Sequence, residues 1–221
     1  MESGFPSISK NAAESNLHNI HSYDSQVQGF NWLQLYDDLA WLPEGGLNAA
    51  YECIDKHALG DNGNKIAMIW IGKNGEEERY TYEDMRMQSD RVAAGLKSLG
   101  IKKGDRVFLF LERIPELYAA FFGILKVGAV VGPLFSAFGP YPVRDRLENS
   151  GAVALITQPD LRVKISEILT HLPDLQHVIV VNKDERSKEP INPNDIPFCL
   201  LYTSDAADER SSVDLGGRRI I

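Results

Sequence analysis

The residues of this chain that could do chemistry are few and scattered. Tyr202-Thr203-Ser204 places a phenol and two hydroxyls in a row. Followed by glycines, such a run lets hydroxyls and backbone amides face phosphate oxygens. Here Asp205-Ala206-Ala207-Asp208 follows instead, and acids at that place repel phosphate. His18 and His21 have ligand-like spacing but sit in a polar stretch, where a solvated pair is expected. His57, His171 and His177 form no H-E-x-x-H pair. Cys53 and Cys199 are too few for a disulfide framework or a thiolate metal site. No glycine-rich dinucleotide fingerprint, no G-x-x-x-x-G-K-[ST] loop and no G-x-S-x-G elbow is present.

The bulk properties bound what remains. A length of 221 residues suits one large domain or two small ones. Hydrophobic residues at 43% and charged residues at 24% are ordinary for a globular chain. The net charge of -8 argues against a nucleic-acid partner, which would call for a basic stripe. Leu117 to Phe135 carries a single charge, Lys126, and by length alone could cross a membrane. Gly128, Gly132 and Pro133 break the run, so a buried helix followed by a buried strand is the expectation, with no membrane partner. Met1 to Asn31 is polar and lacks an apolar core, so no secretory signal is read there and the cytoplasm is the expected compartment.

The elements that must position any site are legible. Asn48 can cap a helix over Ala49 to His57. Ile66 to Ile71 and Glu77 to Tyr82 flank Lys73-Asn74-Gly75, a hairpin signal because Asn and Gly both tolerate positive φ. Thr81-Tyr82-Glu83-Asp84 opens a helix with a capping box, and Met85, Ser89, Val92, Leu96 and Leu99 recur at helical spacing before Gly100. Arg106 to Leu111 reads as a covered strand. Pro115 starts a helix that runs to Val127 and stops at Gly128. A short buried strand over Ala129 to Val131 follows, then a helix over Pro142 to Asn149 and a strand over Val153 to Thr157. A helix over Leu161 to His171, a strand over His177 to Val181 and a charged loop over Lys183 to Asn194 complete the body. Strand and helix alternate, which predicts an α/β fold with a mainly parallel sheet flanked by helices.

Several stretches, taken in order, carry a resemblance. Tyr80-Thr81-Tyr82-Glu83-Asp84-Met85 resembles the first core motif of adenylate-forming enzymes, and Leu125-Lys126-Val127-Gly128-Ala129-Val130-Val131-Gly132-Pro133-Leu134-Phe135 resembles the second. Leu99 to Val107 and Pro115-Glu116 fall between them in the expected order. Leu47 to His57, Phe138-Gly139-Pro140 and Asp145-Arg146-Leu147 are similar to acetyl-CoA synthetases within that superfamily. The resemblance spans Phe30 to Val181 and implies the first subdomain of the adenylate-forming large domain.

It also implies a reaction of acetate, ATP and CoA, with Mg²⁺, that gives acetyl-CoA, AMP and pyrophosphate. Propionate or medium-chain relatives, peptide-synthetase adenylation domains and a non-catalytic α/β binding domain stay open as alternatives. The family's catalytic residues lie on segments this chain does not show, so no catalytic residue and no metal ligand is expected, and the fragment is not expected to bind these molecules well. By resemblance, Phe135 stands where an aromatic packs against the CoA nucleotide, although Ser136 and Ala137 replace the usual glycines. Arg162 stands near arginines that hold the CoA phosphates. Read without the resemblance, Phe135 is core and Arg162 a solvated helix charge. The family's phosphate loop begins Y-T-S-G. The run Cys199 to Asp208 can, however, be encoded by TGT CTC TTA TAC ACA TCT GAC GCT GCC GAC, which resembles a sequencing adapter in frame. The expected division is therefore a loose arm over 1–29, a partial AMP-binding domain over 30–198 and a foreign tail over 199–221.

Overall fold

The computed structural model describes residues 23–42, 45–182 and 192–202. They fall into two compact units, Met1–Leu39 and Ala40–Ile221. In the first, Tyr23–Gly29 forms helix α1, Trp32–Gln34 a 3₁₀ turn and Leu35–Asp38 a short helix, α2. Asn31 Oδ1 accepts from the Leu33 amide at 3.0 Å, and Phe30 meets Trp32 edge to face at 5.0 Å. Of the expected loose arm, 1–22 lies outside the described residues and 23–29 is helical.

The second unit begins with the segment that Asn48 caps. Its Oδ1 accepts from Ala50 at 2.9 Å and Tyr51 at 3.4 Å. The helix it starts is not the expected regular one: Tyr51–Asp55 is a wide π turn, and Lys56–Ala58 forms α3. Strands β1 (Ile66–Ile71) and β2 (Glu77–Thr81) then pair antiparallel, with a bulge between Ile66 and Met68. The hairpin forms, but only Gly75 takes positive φ (91°) and Asn74 does not. The turn closes instead through Gly75 N to Gly72 O and Gly72 N to Glu76 O, so one left-handed residue suffices.

Helix α4 (Tyr82–Ser98) starts where the capping box places it. Thr81 Oγ1 accepts from Asp84 N at 3.1 Å, and Asp84 Oδ2 accepts from Thr81 N at 2.9 Å. These contacts satisfy amides that a helix start leaves without partners. The Thr81 hydroxyl, which donates to Asp84 Oδ2 at 2.7 Å, together with the Thr81 amide holds the Asp84 carboxyl below its ordinary value. Gly100, at φ 83°, stops the helix in the left-handed region that a side chain would strain.

From there the chain builds a five-stranded parallel sheet. Its strands are β3 (Arg106–Phe110), β4 (Val130–Pro133), β5 (Ala154–Thr157), β6 (His177–Val180) and β7 (Ile196–Pro197). The order is β4-β3-β5-β6-β7, every neighbour parallel. The connecting helices are α5 (Pro115–Val127), α6 (Pro140–Ser150), α7 (Pro159–Lys164) and α8 (Ser166–Leu169). Alternation along each strand splits the core in two. Val107, Leu109, Ala154 and Ile156 pack with Val92 and Leu96 of α4 and Ala120 and Ile124 of α5. Phe110 and Leu155 pack on the other face with Val143 and Leu147 of α6 and Leu161 of α7. Full burial of a side chain such as Phe110 stabilises by about 1.5 to 3 kcal/mol.

The sheet and its later connections differ from expectation in detail. β4 runs two residues further, to Pro133, and is an edge strand with Val130 exposed. The chain passes from β4 to β5 on the far side of β3, which leaves the outer side of β4 free, and a proline is tolerated there because no neighbour needs its amide. The single helix over Leu161 to His171 is two short ones broken at Ile165, whose φ of -105° and ψ of 7° leave the helical region. Within the expected loop over Lys183 to Asn194, residues 183–191 lie outside the described residues. Just beyond it Ile196 and Pro197 add the unforeseen strand β7.

The foreign tail was expected from Cys199. Phe198–Tyr202 forms a 3₁₀ turn, and Phe198 and Leu201 are buried in the α4/α5 core. Leu201 fits a notch that Gly95 opens on α4: a Cβ on Gly95 would stand 2.6 Å from Leu201 Cβ and 2.7 Å from its Cα. The stretch over 203–221 lies outside the described residues. Among the described residues no helix is long and apolar enough to cross a membrane, and the run from Leu117 to Phe135 is α5 followed by β4.

Candidate functional site

Both residues singled out from the sequence emerge at the carboxyl ends of parallel strands. In open α/β sheets ligands bind on that side. Phe135 follows β4, Arg162 lies in α7 just after β5, and β3 runs between those two strands. A cleft of about 230 Å³ lined by Leu42, Asn48, Lys103, Leu125 and Ala129 lies instead where the chain enters β3 and β4, at the end opposite Phe135 and Arg162.

Phe135 is not core: it is 62% exposed. Its ring meets Phe138 edge to face at 5.8 Å, and Arg146 lies over the Phe138 ring at 4.6 Å. The Phe138 amide donates to the Phe135 carbonyl at 2.9 Å, so a tight turn presents both rings just before α6 begins. Neither Ser136 nor Ala137 takes positive φ, so their side chains impose no backbone strain there. The arrangement offers the open ring of Phe135 beside a Phe138 ring that Arg146 covers, and an exposed ring can stack a flat heterocycle.

Arg162 is not a solvated helix charge either. It is 6% exposed and its guanidinium is engaged by Asp195, with Nε 3.1 Å from Oδ1 and 2.9 Å from Oδ2, and Nη2 3.0 Å from Oδ1. Nη1 donates to Ser166 Oγ at 3.1 Å. A phosphate at Arg162 would have to displace a buried carboxylate. Arg106 is likewise committed to the fold, donating from Nε to the Ser150 carbonyl at 2.7 Å and from Nη2 to the Gly151 carbonyl.

One charged cluster was missed in the sequence. Lys126, the single charge of the apolar run, is fully buried. Its Nζ donates to Asp55 Oδ1 and Asp90 Oδ1, each at 2.6 Å. Arg86 bridges Asp90 at 3.0 Å and Glu83 at 2.6 Å. Burial pushes the Asp55 carboxyl above its ordinary value, with the Lys126 ammonium pulling the other way. Asp55 is 71 positions from its partner, so no local pattern announces the pair. Among the described residues no group of three or more His, Cys, Asp or Glu side chains could hold a metal ion.

Residues 55–205 match the family described as AMP-binding enzyme. The chain belongs to that family. Along its length it is 39% identical to an acetyl-coenzyme A synthetase of Bacillus subtilis over 206 residues, covering 85% of this chain and 36% of that protein. It is 33% identical to an acetyl-coenzyme A synthetase of Emericella nidulans, over 80% of this chain and 31% of that one. A 3-hydroxypropionyl-coenzyme A synthetase of Metallosphaera sedula is 32% identical over 74% of this chain and 30% of its own length. Among solved structures, an acyl-CoA synthetase of Brucella canis superposes with a TM-score of 0.70 at 32% identity, over 86% of this chain and 32% of that chain. The chain thus spans about a third of the length of these relatives. The family match runs past the edge expected at Cys199 and through the buried turn to residue 205.

Proposed function

We propose that this chain is the N-terminal part of an AMP-forming acetate:CoA ligase of the cytoplasm. The observation that carries the reading is the 39% identity to an acetyl-coenzyme A synthetase along 85% of the chain. In the whole enzyme a carboxylate oxygen attacks the α-phosphorus of ATP and pyrophosphate leaves. The CoA sulfur then attacks the acyl carbonyl and AMP leaves. Both steps gather negative charge, which positioned donors must stabilise.

This chain's own share is to build the parallel sheet and to present Phe135, which we assign to stacking on the CoA nucleotide. Arg162, held by Asp195, serves the fold in this reading. The Mg²⁺ of the reaction is assigned in this reading to the nucleotide and to the rest of the enzyme. The packing of Phe198 and Leu201, and a family match that continues to residue 205, support a native chain through Tyr202.

Acetate-dependent ATP–pyrophosphate exchange tests the assignment. The 221-residue chain alone is expected to show none, and a chimera that continues from Tyr202 into the remaining two-thirds of the Bacillus subtilis relative is expected to show it. Exchange by the chain alone overturns the division of labour. A second reading, in which the parent acts on another short acid, is favoured by the similarity to a 3-hydroxypropionyl-coenzyme A synthetase. Exchange in the parent with propionate or 3-hydroxypropionate exceeding that with acetate decides for it.

A further inference from the structure

Lys126 is a fully buried charge that the functional reading leaves unused. Its side chain is fully buried, and its protons point at three protein acceptors: Asp55 Oδ1, Asp90 Oδ1 and, at 3.5 Å, the Arg86 carbonyl. The partners come from different places. Asp90 and Arg86 belong to α4, Lys126 to the last turn of α5, and Asp55 to the end of the π turn in the segment Asn48 to Ala58.

The segment packs on α4 through a few buried groups. Ala50 and Ile54 are its buried apolar residues, while Leu59 beyond it is 69% exposed. A further tie goes to the same helix end, from Asn48 Nδ2 to the Leu125 carbonyl at 2.8 Å. His57 lies against the Tyr82 ring at 5.0 Å, and Lys56 is spent on Glu52 within the segment.

We propose that Lys126, Asp55 and Asp90 form a buried charge pin that makes docking of the segment Asn48 to Ala58 conditional on the α4–α5 pair. When the pin is broken the segment opens as a unit while the parallel sheet stays closed. The physical reason is an asymmetry. The pin adds little net stability over an apolar filling, but losing one member leaves a buried charge without its partner. The cost then falls on the element that can most cheaply take that charge to water. Asp90 keeps Arg86 as a partner, and Lys126 sits mid-core. Asp55 lies on a short, mostly half-exposed segment, so it leaves first. Local opening of this kind is how stability comes to differ across one domain.

Hydrogen exchange followed by mass spectrometry on the 221-residue chain tests this. Lys126→Met is expected to speed exchange of the amides of 50–58 by about 100-fold or more, the factor that breaking a buried pair implies. Amides of β3 and β5 should stay within about threefold of wild type, the margin of an unaffected site. The triple variant Asp55→Asn/Asp90→Asn/Lys126→Met, which removes all the charges together, is expected to recover most of the lost protection. If Lys126→Met does not fold, Lys126→Gln decides: it leaves Asp55 without a cation in the same way, so faster exchange confined to 50–58 is expected and unchanged protection there overturns the pin. A uniform rise across all peptides, unchanged protection of 50–58, or a triple variant as open as Lys126→Met each overturns the pin.

Discussion

Replacing Leu201 by alanine asks whether the turn after β7 is an integral part of the domain. Leu201 is 2% exposed and seated against the bare backbone of Gly95. Truncating a buried leucine costs the lost transfer energy and the cavity left behind, about 2 to 5 kcal/mol. The notch here is formed by helix backbone, which relaxes little, so the upper half of that range is expected. For a domain of this size each kcal/mol lowers Tm by about 2 to 4 °C, and a loss near 4 kcal/mol lowers it by roughly 8 to 16 °C. Gly95→Ala probes the same contact from the other side, because its new methyl overlaps Leu201 and costs about 1 to 3 kcal/mol as overpacking. In the double variant that methyl fills part of the void, so the pair should cost less than the two singles added, with a coupling of about 0.5 to 3 kcal/mol. Urea denaturation followed by tryptophan fluorescence gives all four stabilities. Ending the chain after Phe198 should match Leu201→Ala or exceed it, whereas ending it after Tyr202 should change little. A Leu201→Ala loss below about 0.5 kcal/mol, the range of ordinary surface substitutions, would refute the reasoning. Strict additivity with Gly95→Ala would refute the shared notch.

Further outcomes follow from the same geometry. Arg162→Ala strands Asp195, buried at 6% exposure, and should cost about 3 to 5 kcal/mol in denaturant unfolding; a small loss would return Arg162 to the list of free surface cations. Phe135→Ala should leave stability within about 0.5 kcal/mol, since the ring is 62% exposed, yet weaken CoA binding in the assembled chimera, measured by titration of the CoA-dependent step. Thr81→Ala should cost about 1 kcal/mol at neutral pH by loss of the cap. Thr81 holds the Asp84 carboxyl below its usual value of 3.8, so that share of stability is present above 3.8 and fades as pH falls through the lowered pKa. The gap between wild type and Thr81→Ala should therefore narrow below pH 3.8, and a gap that widens on acidification would contradict the assignment.

What was legible in the sequence was local. The box at Thr81 and Asp84, the stops at Gly100 and Gly128 and the entry at Pro115 depend on a few neighbouring residues and the backbone groups they satisfy, so their spacing suffices. A mainly parallel sheet was also readable, because strands covered on both faces need apolar residues at successive positions, as in Val107 to Leu111. Motif order reached the family for a related reason: each motif is a short stretch whose own residues must persist.

Tertiary structure decided the rest, because it turns on residues far apart in the chain. Arg162 looked like a cation waiting for a phosphate until Asp195, 33 positions on, was brought against it. Phe135 looked like core until the strand order put β4 at the edge and left its ring open. Lys126 looked like an interruption in an apolar run, and packing supplied two carboxylates that let a charge sit where water cannot reach. Sequence sets which groups need partners; only the fold decides which partner arrives first, and with it whether a charge is free for a ligand or already spent on holding the domain together.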